Sequence, residues 1–310
     1  VGLALVWKPC DVTSQGFVGN FKRQMGLPGP ARKNIGHSGT LDPFAEGFLL
    51  IGWDEATKLL AALQGLEKTY VAEICFGLSS DTLDITGSVE AWDNFALSID
   101  EIKNFEAKIP RFLQSKVGIQ KQRPPEFSAI KVDGKRSYEL ARAGKSVELA
   151  EREFQIFQIK HLSLVNSSYL GSPTLLWTIE IQVSSGTYIR ALARDWGQEL
   201  FSRPALLKTL KRSSIGPFTA RPPSEAGIAS CKILDLDDLK KIMRPLFLDA
   251  EQANRLQKHG EWRPELLRGL ENTSNTEAKY LILNPNYEII AWAEENPPKL
   301  KRVFLSDPLS

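Results

Sequence analysis

The sequence is poor in the residues that build metal sites and disulfide frameworks. Its three cysteines, Cys10, Cys75 and Cys231, lie far apart and form no CxxC pair, and its three histidines, His37, His161 and His259, share no ligand spacing. A structural metal and a cystine scaffold are both disfavoured, and the thiols suit a reducing cytoplasm. No apolar run reaches the roughly 18 residues of a membrane-spanning helix, and no charged-then-apolar leader opens the chain. Neither a membrane span nor a signal peptide is expected, and internal repeats are missing. Charge of one sign is scarce as well: 39 basic residues face 37 acidic ones, for a net charge of +2. Global charge therefore announces no nucleic-acid partner, and any affinity for one must come from local basic clusters.

What is present is the composition of a globular protein, with 310 residues, 42% of them hydrophobic and 25% charged. That suffices for one large domain and a small one. Leu3 to Trp7 reads as a strand stopped by Lys8-Pro9. Ser14 is placed to cap a helix with Phe17, Val18, Phe21 and Met25 on one face. Leu27 to Thr40, rich in Gly, Pro and basic residues, reads as a loop. Phe48 to Trp53 reads as a buried strand, after which Asp54 caps a helix through Leu63. Tyr70 to Phe76 and, more cleanly, Leu175 to Val183 alternate as strands. A turn at Ser184 to Thr187 leads into a helix with Ile189, Leu192, Ala193, Trp196 and Leu200 inward. Leu234 to Met243 reads as a linking helix broken by Pro245. Beyond it come a short helix at Ala250 to Lys258, a polar loop at Glu271 to Ala278 and strands at Tyr280 to Leu283 and Glu288 to Trp292. Strands and helices mix without a βαβ rhythm, which predicts an α+β fold with a largely antiparallel sheet. The expected domains are 1–232, with an insert at about 120–150, and a small β-rich one at 233–310.

Four segments carry candidate chemistry. Gly36-His37-Ser38-Gly39-Thr40-Leu41-Asp42-Pro43 puts a carboxylate in a glycine-flanked loop before a buried strand. Such an aspartate is a turn residue as readily as a reactive group at a cleft floor. Ser185 to Arg190 places Tyr188 and Arg190 at a strand–helix junction. A cation there gains nothing from the helix dipole, which hints at a carboxylate partner, although a surface arginine would look the same. Lys68-Thr69-Tyr70 begins a strand, where a tyrosine is commonly just half-buried. Gln122 to Lys131, continuing through Lys135, Arg136, Tyr138, Arg142 and Lys145, interleaves cations with aromatics. That suits phosphate contact and base stacking, or a solvated surface.

In this order the segments resemble the TruB family of tRNA pseudouridine synthases. Gly36 to Pro43, with Gly47 and Glu55-Ala56-Thr57-Lys58, looks like the family signature. Lys8-Pro9, Lys68-Thr69-Tyr70, Gln122 to Lys131, Gly186 to Arg190 and Leu210-Lys211-Arg212 resemble its other motifs, from about residue 3 to about 220. Two departures stand out: Phe127 where tyrosine is frequent, and Ser213 where leucine is common.

The resemblance implies isomerisation of uridine 55 in the TΨC arm of tRNA, without cofactor or metal. It also implies a pseudouridine synthase core and a PUA-like carboxyl-terminal RNA-binding domain. It would make Asp42 the catalytic carboxylate, Arg190 its counter-charge and Tyr70 the stacking residue and candidate base. Leu210 and Tyr188 would border the base, and His37 would lie against the RNA. Lys8, Pro9, Lys131 and Arg142 would complete the substrate site. Further RNA affinity would come from Lys22, Arg23, Arg32, Lys33, Lys135, Arg136, Lys145, Lys208, Lys211 and Arg212. The expected protein is a cytoplasmic monomer with tRNA as partner and no obligatory protein partner. An RNA-guided pseudouridine synthase is the near alternative, disfavoured by a chain that starts close to its first motif and ends without a basic tail. A non-catalytic tRNA-binding module is the alternative of another class, and a glycoside hydrolase is more distant for want of a second placed carboxylate.

Overall fold

The computed structural model describes residues 2–26, 34–92, 95–132, 134–144, 149–169, 171–219, 231–263, 279–294 and 299–304. They form two compact units, residues 1–65 with 214–310, and residues 66–213. The fold is α+β, and its registered strand pairs are antiparallel apart from one pair near the carboxyl terminus.

In the first unit, strand β1 (Gly2–Lys8) is buried at every position. Helix α1 (Ser14–Gln24) follows it, capped by Thr13, whose side chain accepts from the Gly16 N–H at 3.0 Å. The cap thus sits one residue before the expected Ser14, which falls inside the first turn. Phe17, Val18 and Phe21 pack against Ala4, Val6, Leu49, Ile51 and Trp53, while Met25, expected beside them, is 37% exposed. The segment read as a loop up to Thr40 contains a strand, β2 (Ile35–His37), paired with β3 (Glu46–Trp53). Ile35 packs on the same apolar cluster, so tertiary contact overrides the turn-rich local composition. Residues 27–33 of that expected loop lie outside the described residues. β3 also pairs with β1, from Trp53 opposite Gly2 to Gly47 opposite Lys8.

Asp54 does not cap a helix. It sits at φ +54° on a 3₁₀ turn, Asp54–Leu59, and a short helix α2 (Leu60–Gln64) follows.

The second unit runs through β4 (Lys68–Phe76), β5 (Leu78–Ser80), β6 (Val89–Ala91), α3 (Ile99–Lys116) and β7 (Gly118–Gln122). It continues with β8 (Lys131–Val132), β9 (Lys135–Arg136), α4 (Ser137–Arg142), β10 (Arg152–Tyr169), β11 (Ser172–Val183), α5 (Ile189–Phe201) and β12 (Ala205–Ile215). The strand order is β12-β4-β11-β10-β7. As the alternation predicts, Leu175, Trp177, Ile179, Ile181 and Val183 of β11 are all buried. Trp177 lies 5.5 Å from Phe105 of α3 and 5.7 Å from Trp196 of α5, ring centre to ring centre. The two helices therefore cover one face of the sheet through aromatic contacts, which fixes the direction in which α5 leaves β11.

The chain then returns to the first unit. β13 (Lys232–Ile233) pairs with β1, and α6 (Leu236–Lys240) is shorter than the expected linking helix. Pro245 lies in β14 (Arg244–Phe247), an edge strand parallel to β15 (Lys279–Leu283), a position that tolerates proline's missing N–H. Between them α7 (Ala250–His259) opens with a capping box of Asp249 and Gln252 and ends at Gly260, φ +67°. β16 (Ile289–Glu294) and β17 (Lys299–Val303) complete a four-stranded sheet whose core includes Tyr280, Ile282, Ile290 and Leu256. The expected polar loop Glu271 to Ala278 lies outside the described residues. Among the described residues no helix is long and apolar enough to cross a membrane.

Candidate active site

Each unit holds one part of the expected constellation. In the first unit Asp42 sits between β2 and β3, half-buried, with exposed Pro43 after it. A proline restricts the residue before it to extended backbone, so Asp42 starts with little conformational freedom. Its neighbours remove most of the rest. Ser14 Oγ donates to the Leu41 carbonyl at 2.8 Å and accepts from the Leu41 N–H at 2.9 Å. On the other side the Pro43 carbonyl accepts from the Asp11 N–H at 2.8 Å and from Lys8 Nζ at 3.3 Å. The Ala45 N–H closes the turn on the Asp42 carbonyl at 3.1 Å.

Lys8 was expected at the substrate. It is instead fully buried, its ammonium directed at the carbonyls of Pro9, Val12 and Pro43, because a cation inside a protein must have its donors met. One of those carbonyls, that of Pro43, belongs to the Asp42 turn. Pro9 is half-buried at the end of the same strand. His37 lies on β2, and its Nδ1 accepts from the Gly39 N–H at 3.3 Å. Gly39 adopts φ +142°, which accounts for one of the two glycines in the motif.

The Glu55–Lys58 part of the signature does other work. Lys58 bonds Glu55 at 2.5 Å and the Val303 carbonyl at 3.3 Å, and the Lys58 carbonyl accepts from the Trp292 indole at 3.2 Å. The motif ties the carboxyl-terminal strands into the first unit.

In the second unit Arg190 lies in the first turn of α5 and is only 5% exposed. One carboxylate partner of Arg190 is Asp84, with Oδ2 3.4 Å from Nη1. Nη1 also donates to the Thr82 carbonyl at 2.6 Å, and Nη2 to the Phe127 carbonyl at 2.9 Å. Asp84 is 3% exposed, and its other oxygen accepts from Thr82 Oγ1 at 2.8 Å, the Thr86 N–H at 2.9 Å and Thr86 Oγ1 at 2.6 Å. The Asp81–Ser88 loop is thus wound around two carboxylates, with Asp81 Oδ1 accepting from the Thr82 N–H at 3.0 Å and the Ser88 N–H at 2.8 Å. It is tight enough that a Cβ on Gly87 would meet Asp81 Oδ1 at 2.2 Å and Thr82 Oγ1 at 2.4 Å. Asp84 escaped the sequence reading, although the run Asp81-Thr82-Leu83-Asp84 was a visible clue: three side-chain acceptors crowd four residues just after a strand.

Tyr70, on β4 opposite Ile181, is 8% exposed. Lys68 before it is buried, with Nζ on the Leu66 carbonyl at 2.6 Å and Ser185 Oγ at 3.3 Å. Tyr188 precedes α5 and its N–H meets Gln122 Oε1 at 3.3 Å, so the second and fourth expected motifs do touch. Leu210 is buried on β12. Lys131 is exposed on the β8–β9 hairpin, and the Arg142 guanidinium lies 5.6 Å over the Tyr138 ring. Not every cation of the expected clusters faces solvent. Lys208 pairs with Glu73 at 2.9 Å and Arg212 is 2% exposed, while Arg32, Lys33 and Lys145 lie outside the described residues.

The family model described as TruB family pseudouridylate synthase (N terminal domain) matches residues 29–189, which include His37, Asp42, Tyr70, Asp84 and Tyr188. The chain belongs to the TruB family. Among curated TruB relatives, the tRNA pseudouridine synthase B of Mycobacteroides abscessus is 37% identical over 99% of this chain and 96% of its own length. That of Corynebacterium jeikeium is 38% identical over 99% and 94%. Two solved structures share the fold at low identity. The archaeal box H/ACA sRNP Nop10-Cbf5 complex contains a chain at TM-score 0.56 and 16% identity, covering 100% of this chain and 88% of that one. A Cbf5-Nop10-Gar1 complex gives 0.55 and 18%, with 100% and 87% covered. The TruB fold therefore spans both units, and the resemblance carried by the motifs is a family membership.

Proposed function

We propose that this TruB-family chain isomerises uridine 55 in the TΨC arm of tRNA to pseudouridine. Its relatives named tRNA pseudouridine synthase B align with it from end to end, which supports tRNA as the substrate. The reaction cleaves the bond from uracil N1 to C1′, turns the base and joins C5 to C1′. N1 gains a proton and C5 loses one, so nothing is oxidised and no group is supplied from outside.

The observation that carries the catalytic reading is the fixed turn at Asp42. A carboxylate must lie near a sugar carbon that develops positive character, and the peptides flanking Asp42 are held by buried hydrogen bonds. In this reading Asp42 is the catalytic carboxylate and Arg190 the counter-charge that keeps it ionised. Tyr70 stacks on the extruded base and is the candidate acceptor of the C5 proton, with Leu210 and Tyr188 at the pocket wall. His37 lies against the RNA, and Lys131 and Arg142 meet its phosphates, so binding weakens as salt rises. Residues 233–310 act as a small PUA-like RNA-binding domain beside a catalytic domain of residues 1–232.

The test is tRNA transcript carrying tritium at uridine C5, incubated with the protein, with tritium release measured and the modified position mapped. Release from position 55 is expected from the native chain and none from Asp42→Asn. No release from the native protein would overturn the isomerase reading, and product at another position would overturn the site. Binding of tRNA without product would favour the folding-module alternative, and a requirement for a second RNA would favour guided modification.

A further inference from the structure

We infer that Ser14 is a positioning residue for Asp42, acting through the Leu41 peptides; this rests on the catalytic reading of Asp42 above. Ser14 has the sequence appearance of a helix cap, but Thr13 takes that task. Standing at the first helical position, Ser14 is released to turn inward, and it is 2% exposed. Its single hydroxyl uses both of its capacities on one residue 27 positions away, donating to the Leu41 carbonyl and accepting from the Leu41 N–H. The two bonds have distinct consequences. The Leu41 carbonyl belongs to the peptide unit whose nitrogen is that of Asp42, so bonding it stops that plane from rotating. The Leu41 N–H belongs to the preceding unit, so the two bonds together set both dihedrals of Leu41.

The following side of Asp42 is already held by proline geometry and by the two donors on the Pro43 carbonyl. Ser14 therefore supplies what proline cannot, a fixed approach to Asp42 from the amino-terminal side. Because Leu41 is 3% exposed, water does not readily replace the hydroxyl when it is removed. The turn would then relax, and a displacement of about 1 Å at a reacting group can cost on the order of 100-fold in rate.

The adjacent threonine makes the test discriminating. Thr13→Ala removes a hydrogen bond from the same helix without touching Leu41. Ser14→Ala removes the clamp, and Ser14→Cys keeps nearly the same volume with a poor hydrogen-bonding group, so it remains informative if the alanine variant does not fold. Each protein is assayed for tRNA binding, and for single-turnover product formation with enzyme in excess. Ser14→Cys, and Ser14→Ala where folded, are expected to lose about 10- to 100-fold in single-turnover rate with the dissociation constant for tRNA within about threefold of the native value. Thr13→Ala is expected to keep the native rate and to melt at a lower temperature. If Asp42→Asn is inactive while both Ser14 variants turn over at the native rate, the positioning role is overturned and Asp42 stands. Equal rate losses in Thr13→Ala and the Ser14 variants would reduce Ser14 to a helix residue. An active Asp42→Asn protein would overturn the catalytic reading and this inference with it.

Discussion

The Asp42 turn and the Arg190 junction solve one problem in opposite ways. Asp42 is held through the backbone on either side of it, by Ser14 on Leu41 and by Lys8 and Asp11 on Pro43. Arg190 is held through its own side chain, by Asp84 and the carbonyls of Thr82 and Phe127. Backbone bonds of this kind set the turn that carries Asp42. A group that supplies charge can be clasped directly. The two arrangements should therefore break differently: the first through residues that bond the peptides flanking Asp42, the second through loss of a specific side-chain partner.

The largest expected effect is at Asp84. Asp84→Ala leaves the Arg190 guanidinium buried without this carboxylate, and breaking a buried pair by removing one partner costs about 3–5 kcal/mol. The Asp81–Ser88 loop loses the acceptor for Thr82 and Thr86 at the same time. Chemical denaturation should show the loss, and pseudouridine formation should fall steeply even where the protein remains folded. A variant with native stability and turnover would show that Arg190 does not depend on its own clasp.

Lys8→Met comes next and probes the other arrangement. It keeps an unbranched stem of similar length and removes the donor from the carbonyls of Pro9, Val12 and Pro43. Leaving a buried acceptor unsatisfied costs about 1–3 kcal/mol, and part of this is met by the Asp11 N–H, which stays on Pro43. The expected result is a lower denaturation midpoint, together with a slower single-turnover rate at unchanged tRNA affinity. A loss of affinity at native rate would instead return Lys8 to the substrate.

A carboxylate outside both regions calibrates them. Burial would raise the Asp238 pKa, but bonds from Lys232 at 2.7 Å and Lys241 at 2.6 Å outweigh it and hold the group below its ordinary value. A carboxyl whose folded pKa is depressed contributes stability above its unfolded pKa of about 3.9, and loses it as pH falls through the lower folded value. Both lysines are about half exposed, so the contribution is screened to roughly 1 kcal/mol or less. Asp238→Asn should flatten the acid limb of the stability curve below about pH 4 and leave turnover at neutral pH unchanged. An unaltered acid limb would show that the pair contributes nothing there.

The sequence made the two arrangements unequally legible. Strong alternation marked β11, and the periodic apolar face marked α5, because burial on one side writes directly into residue order. Asp42, Tyr70 and Arg190 were singled out through motif order, and their roles belong to the proposed function. The bonds of Ser14, Lys8 and Asp84 were not legible because they reach partners 27, 35 and 106 residues away, which no local pattern encodes. Helix α3 went unnoticed despite its Ser98–Glu101 capping box, since Pro110 stands inside it and only Phe105, Ile109 and Leu113 are buried along its 18 residues. Strand β10 is similarly mute: exposed Phe157, Leu162 and Val165 spoil its alternation, the first two at register shifts against β11.

The smallest expected effect sharpens the account of the Arg190 clasp. Phe127 departs from the tyrosine frequent in the family, and a missing hydroxyl beside a buried arginine invites the thought of a lost hydrogen bond. The geometry assigns the contact differently. Arg190 Nη2 bonds the Phe127 carbonyl at 2.9 Å, an atom that every residue supplies. What the position requires is a backbone path that brings that carbonyl inward. The path is set by neighbours: the Glu126 carbonyl accepts from Ser137 Oγ and the Ser128 N–H, and the Tyr138 N–H bonds the Ser128 carbonyl. Phe127 itself is only half-buried, so an added hydroxyl has a route to water and carries little desolvation cost. Phe127→Tyr is therefore expected to change stability by less than about 0.5 kcal/mol and turnover by less than about twofold. Ser137→Ala, which removes the hydroxyl from Glu126, should perturb the same contact more. A Phe127→Tyr variant with several-fold altered rate would mean that the ring, not the carbonyl behind it, is what the guanidinium answers to.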